Sequence, residues 1–192
     1  MKLFLINLDR DSKRLAWMEK QLRQIERLPS DWEIVRLSNP PKSAYMPVEK
    51  LEGGLEVIRY WRVPNNTGAY LINKKGAQKF LDVGAQRLRT IDEDMRRPWE
   101  HGMVTYGIVP APFILNAFAG SSIDDIAQRT DLPWRKRGQK TTLAGQFDSL
   151  AYKIKAFGLS GALKCMAKNA SVSLRKRLSL HKGLPENYRI NR

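Results

Sequence analysis

The chain of 192 residues is long enough for one core-bearing domain with an appendage. Its 42% hydrophobic and 28% charged residues exclude a disordered chain. No apolar run reaches the ~18 residues of a membrane span, and residues 1–8 are too short and lack the cleavage site of a signal peptide. A single cysteine, Cys165, excludes an internal disulfide and a cysteine-built zinc cage, and it fits a reducing compartment, so the cytoplasm is the expected location. The net charge of +15 is uneven. Residues 132–192 carry 14 Lys and Arg against Asp148 and Glu186, a net +12, and residues 1–131 carry only +3. The expected division is therefore an ordinary domain over 1–131 and a basic helical tail over 132–192, drawn to a polyanion such as an anionic membrane surface or nucleic acid.

In chain order, Lys2–Leu8 has the pattern of a buried strand. Asp11 or Ser12 can cap the helix that follows, whose Leu15, Met18, Leu22 and Ile25 form one apolar stripe. A strand followed by a helix points to an α/β layer, with Asn7, Asp9 and Arg10 at the carboxyl end of the strand, where ligands bind or where turn residues simply sit. Asp31–Leu37 reads as a second strand, with Asp31 and Glu33 on one face. Residues 38–54, with Pro40, Pro41, Pro47, Gly53 and Gly54, read as a loop. Leu55–Val63 returns to β character. Trp61 and Arg62 beside Pro64 either line a site or cover a core edge.

The stretch from Asn66 to Asp94 organises the rest. Gly68–Ile72 reads as a strand, Asn73 caps a helix running to Gly84, and Ile91-Asp92-Glu93-Asp94 follows as an acidic turn. Carboxylates so close demand a metal, a basic side chain or hydroxyls between them, or else solvent. Met103–Val109 is another strand, ended by Pro110, and Phe113–Asn116 a short extended piece. His101 and His181 are the only histidines, so no Ser/His/Asp set can be drawn. Neither a G-x-G-x-x-G loop nor a Walker motif is present. Ser121–Leu132 has the opening of a helix-turn-helix, but Trp134–Thr142 lacks the apolar period of a recognition helix. Phe147, Leu150, Ala151, Ile154, Phe157, Gly158 and Gly161 mark one face of a C-terminal helix bordered by Lys153, Lys155, Lys164 and Lys168. Such a helix either enters a lipid interface or docks on the parent domain.

Taken together, Phe4-Leu5-Ile6-Asn7-Leu8-Asp9-Arg10, the Asp31–Leu37 run, Gly68-Ala69-Tyr70-Leu71-Ile72-Asn73-Lys74-Lys75-Gly76-Ala77 and Ile91-Asp92-Glu93-Asp94-Met95 resemble glycosyltransferase family 25. That family includes lipopolysaccharide galactosyl- and glucosyltransferases and collagen galactosyltransferases. The resemblance covers residues 1–26 and about 31–125. It implies a shortened GT-A-like, nucleotide-sugar-binding α/β sheet followed by basic C-terminal helices, and transfer of a hexose from a UDP-hexose to a lipid-linked glycan such as lipopolysaccharide core. It places Asn7, Asp9 and Arg10 near the nucleotide, Gly68 and Tyr70 near the substrate, and Asp92 and Asp94 in the catalytic role. It also implies Mn²⁺ held by a Glu-Asp-Asp cluster. Here the first helix runs through Glu26-Arg27-Leu28-Pro29 straight into Asp31-Trp32, so the segment bearing that cluster is missing. The same resemblance leaves open a catalytically inactive remnant that retains glycan or membrane binding, at the inner leaflet of the cytoplasmic membrane. A DNA-binding protein built on Ser121–Leu132 is the third reading, with nucleic acid the weaker partner.

Overall fold

A computed structural model of the chain describes residues 27–38, 41–65, 68–83, 89–113, 142–178 and 188–190. Five strands form one mixed sheet accompanied by helices, an α/β fold. The elements are β1 (Ile34–Arg36), β2 (Tyr45–Lys50), β3 (Glu56–Tyr60), β4 (Tyr70–Ile72), α1 (Lys74–Asp82), α2 (Ile91–Met95), α3 (Pro98–His101), β5 (Thr105–Val109) and α4 (Leu143–Arg177), with a 3-10 turn at Glu52–Gly54. The strands lie in the order β2-β3-β5-β1-β4. β1 and β5 run parallel and every other neighbouring pair is antiparallel.

β1 is short because its flanks serve other contacts. Ile34, Val35 and Arg36 are buried on both faces, as an interior strand requires. Asp31 lies in a turn closed by Trp32 N–H donating to the Pro29 carbonyl at 3.0 Å, so the strand expected over Asp31–Leu37 is confined to its middle. The pleat then divides the core. Val35, Val57, Tyr106 and Ile108 pack with Trp32 and Leu37 in one cluster, whereas Ile34 packs with Phe80, Met95 and Met103 in another.

The loop expected over 38–54 is corrected: Tyr45–Lys50 is a strand paired with β3. Pro47 lacks a ladder donor, and β2 accommodates it as the outermost strand, with a register shift between Pro47 and Glu49. The outer side of β2 meets the end of the chain, where Ile190 N–H donates to the Tyr45 carbonyl at 3.0 Å and Arg189 forks onto Glu56.

α1 begins as its sequence indicates: the Asn73 side chain accepts from Gly76 N–H at 2.8 Å. Gly76 is dictated by proximity, since a Cβ there would stand 2.5 Å from the Glu33 carbonyl oxygen. The helix therefore lies close against β1. α4 docks on the sheet rather than standing away from it. Tyr152 donates to the Met103 carbonyl at 2.9 Å, the Asn169 side chain accepts from Ala44 N–H at 2.9 Å, and Phe157, Ala162, Cys165 and Val172 are buried among Ala44, Trp61, Ile58 and Tyr60. Between those anchors the helix is broken at Gly158, whose φ of 70° and ψ of 166° are not helical. The expected Lys2–Leu8 strand, the first helix, the Ser121–Leu132 segment and the division at residue 131 lie outside the described residues, as do residues 114–116. Phe113 itself bridges in parallel to Ser38. No helix among the described residues is long and apolar enough to cross a membrane.

Candidate functional site

The acidic stretch folds as a helix, α2, and not as a turn. Two residues apart on a helix, the Asp92 and Asp94 side chains leave on nearly opposite sides, so these carboxylates do not converge. Asp94 pairs with Arg89 at 2.8 Å. Glu93 pairs with Arg96 at 2.9 Å and Arg97 at 3.7 Å, and Glu100 is held by Arg89 and Arg97. Burial by itself would raise the Glu100 carboxyl, but bonds from Arg89 and Arg97 outweigh it and hold the group below its ordinary value. Asp92 stands apart: its Oδ1 accepts from the backbone N–H of Glu93 at 3.0 Å, and no arginine among the described residues pairs with it. Its negative charge acts on the buried Arg36.

Arg36 is a buried cation on the interior strand β1, 1% exposed. Its guanidinium reaches the Pro64 carbonyl at 3.4 Å and the Met95 sulfur at 3.9 Å, and its Nε has no hydrogen-bond partner. Burial pulls its pKa down, while Tyr60, Tyr70 and Asp92 act in the opposite direction. Gly107 pairs with both Arg36 and Ile58, and the Tyr60 ring lies across it so closely that a Cβ would overlap the phenol. Tyr70 is half-buried beside Arg36 in the ladder, and Gly68 is exposed ahead of β4. Asn7, Asp9 and Arg10 lie outside the described residues. His101 is buried, takes the Met103 N–H at 3.3 Å on Nδ1 and stands edge-on to Phe80, which makes it a structural residue.

A large cleft opens beside α2, with a volume of about 670 Å³. Trp61, Arg62 and Val63 follow β3 into one wall, Arg96 and Trp99 form the second, and Gln146, Ser149, Leu150 and Lys153 of α4 form the third. The Lys153 ammonium stands 5.0 Å from the Trp61 ring centre and 5.8 Å from that of Trp99. Such cation–aromatic contacts hold a lysine that is half withdrawn from water. Burial and then the neighbouring Arg62 push the Lys153 pKa below its usual value. No carboxylate among the described residues pairs with Lys153 or Arg62. Phe157 meets Trp61 edge-on at 5.7 Å and fixes that ring. The Trp99 indole N–H is buried and makes no hydrogen bond. A cleft of this kind offers the half-buried Trp99 indole to a flat or sugar-like ring, with Trp61 packed behind Lys153, and an excess of positive charge to an anion.

The sequence singles out Trp61 and Arg62 as lining a site or covering a core edge, and Trp61 does pack in a core cluster while both border the cleft. It does not single out Trp99, Arg96 and Lys153. Lys153 carries one available signal: it falls four residues from both Ser149 and Phe157, on the row that docks.

A Mn²⁺ site does not fit the carboxylates of α2. Glu93 and Asp94 are already matched by Arg89, Arg96 and Arg97, so a divalent ion would displace guanidinium groups and then sit beside them. Among the described residues no three His, Cys, Asp or Glu side chains gather as a metal-binding group. No family model, no curated protein and no solved structure matches the chain.

Proposed function

We propose that the chain is a shortened, GT-A-like relative of glycosyltransferase family 25 that binds an anionic sugar compound, a UDP-hexose or a phosphorylated glycan acceptor, in the cleft between Trp61, Trp99 and Lys153. The observation that carries this reading is Lys153, poised between two indoles beside Arg62 with no carboxylate among the described residues to neutralise either. A ring stacked on an indole and a phosphate on the cations would use each feature of the cleft. In hexose transfer the C1–oxygen bond to the diphosphate breaks, a bond from C1 to the acceptor oxygen forms, and the acceptor proton leaves to a base. Asp92 is the carboxylate in α2 free of an arginine, and the family resemblance gives it that role. It does not line the cleft, so the acceptor hydroxyl would have to reach it from the cleft's rim, with Asp94, held by Arg89, in a positioning role.

The second reading, a remnant that binds without turnover, is favoured by the arginines that occupy Glu93 and Asp94. Tryptophan fluorescence titrated with UDP, UDP-glucose, UDP-galactose and lipopolysaccharide-core oligosaccharide tests the binding. Saturable quenching is expected, weakened about tenfold or more in Lys153→Met. Identical titrations of wild type and Lys153→Met would remove the cleft from the argument. Labelled hexose transfer to the core acceptor, lost in Asp92→Asn, separates the enzyme from the remnant.

A further inference from the structure

Beyond the cleft, α4 carries a second feature, an apolar face turned away from the sheet. After the break at Gly158, the helix buries Gly161, Ala162, Cys165 and Val172 against the sheet. On another side of the same segment, Leu159 is 66% exposed, Leu163 58%, Met166 51% and Leu174 60%. At 100° per residue these four fall within about 80° of arc, with Ala170 between them, so they make one continuous apolar stripe. The core-facing row lies about 140° away, and the stripe is therefore not the edge of the docked face. Arg177 continues the line of the stripe beyond Leu174, and Lys164 sits roughly a third of a turn from it, within reach of a lysine side chain. Both are exposed. From Leu143 to Leu178 there are seven Lys and Arg and a single carboxylate, Asp148.

We propose that this stripe lies on an anionic lipid surface, with Leu159, Leu163, Met166 and Leu174 in the acyl boundary and the flanking cations among the headgroups. Charge decides the occupant. A second copy would bring the same cations alongside, with no carboxylate in the helix after Asp148 to meet them. A nucleic acid would match the cations and leave the leucines in water. A lipid surface with anionic headgroups satisfies both, and attraction of juxtaposed Lys and Arg to such a leaflet is additive along the helix. The proposal does not depend on what the cleft binds.

Flotation of the full chain with vesicles tests it, using phosphatidylcholine alone and phosphatidylcholine with about 30 mol% phosphatidylglycerol, on the order of the anionic content of a cytoplasmic leaflet. Binding is expected to the mixed vesicles and to fall as salt rises, because headgroup attraction is screened over about 8 Å at physiological ionic strength. The Leu163→Glu/Met166→Glu variant should lose binding at least tenfold with an unchanged circular dichroism spectrum, since both side chains face solvent. Lys164→Gln/Arg177→Gln should lower binding about tenfold on the mixed vesicles. Three results would overturn the proposal: equal binding by the stripe variant, binding to a single-stranded oligonucleotide but not to vesicles, or sedimentation of the full chain as a dimer that the stripe variant dissociates.

Discussion

Glu33 is the point where β1, α1 and β5 are tied together, and replacing it tests the fold most directly. Its side chain is 1% exposed. One oxygen takes Lys79 Nζ at 2.8 Å and the Val104 backbone N–H at 3.0 Å, and the other forms an ion pair with Lys75 Nζ at 3.0 Å. In Glu33→Gln the amide oxygen keeps Lys79 and Val104 as donors, its charge is lost, and its NH2 is turned toward the Lys75 ammonium. Removing one partner of a buried pair costs about 3–5 kcal/mol, because the other charge is left uncompensated. Here Lys79 is 34% and Lys75 72% exposed, so both recover water, and about 2 kcal/mol is the expected loss. Urea unfolding should show a lower midpoint at unchanged slope. The pH dependence follows the same bonds. Burial works to raise the Glu33 carboxyl, but the bonds from Lys79, Lys75 and Val104 win and hold it below the ordinary value. A depressed folded-state pKa means that the stabilisation is present above the unfolded carboxylate range, near pH 4.5, and is lost as pH falls through the folded value. Wild type should therefore lose this stability in acid, and the Gln variant should not. A midpoint shift worth under about 0.5 kcal/mol, or an acid limb unchanged by the substitution, would show that Glu33 does not hold these elements.

Two further substitutions read the interior. Gly107→Ala should cost more than about 3 kcal/mol by thermal melting, because its Cβ has nowhere to go but the Tyr60 phenol. Tyr60→Phe should be neutral or stabilising, since the buried hydroxyl it removes has no partner. Cys165 is fully buried, and desolvation pushes its thiol up to about 12, so an aromatic disulfide reagent at about pH 8 should label the native chain only at its unfolding rate.

Local chemistry makes several elements legible in the sequence alone. Asn73 announces α1 because its side-chain oxygen has one short-range task, the Gly76 N–H, and nothing distant competes for it. Ile34-Val35 and Thr105–Val109 announce strands because interior strands are apolar nearly throughout. Tyr45–Lys50 hides behind Pro47, whose cost depends on whether the strand is at an edge, which only the assembled sheet decides. The acidic stretch is legible as a cluster but not as a neutralised one. Arg89 and Arg97, which tie α2 to Glu100 of α3, look in the sequence like scattered surface charge. The cleft is half legible: Trp61 and Arg62 stand together in sequence, but Trp99 is brought to them on α3 and Lys153 by the docking of α4.

That docking depends on Gly158. Ser149, Lys153, Phe157, Gly161, Cys165 and Asn169 recur at every fourth residue on the docked side of α4, from the cleft wall to the bond with Ala44. On a straight helix of 3.6 residues per turn, a row of every fourth residue drifts about 40° per step. Over five steps it would turn about 200° away from the surface it began on. One straight helix cannot hold Lys153 in the cleft and Asn169 on Ala44 together. The break at Gly158, at φ 70° and ψ 166°, interrupts the drift, and that region of conformational space is open essentially to glycine alone. A Cβ at Gly158 would meet nothing within 4 Å, so Gly158→Ala acts through the backbone and not through a clash. It should cost about 1–3 kcal/mol if the break is kept. If the helix straightens instead, Lys153 should leave the two indoles, which the tryptophan emission would report as a shift in the folded state. D-alanine at residue 158, installed by ligation of a synthetic C-terminal segment, favours positive φ and should restore both stability and emission. An L-alanine variant with wild-type stability and wild-type emission would mean that the break is dispensable, and that the two anchors of α4 are reconciled in some other way.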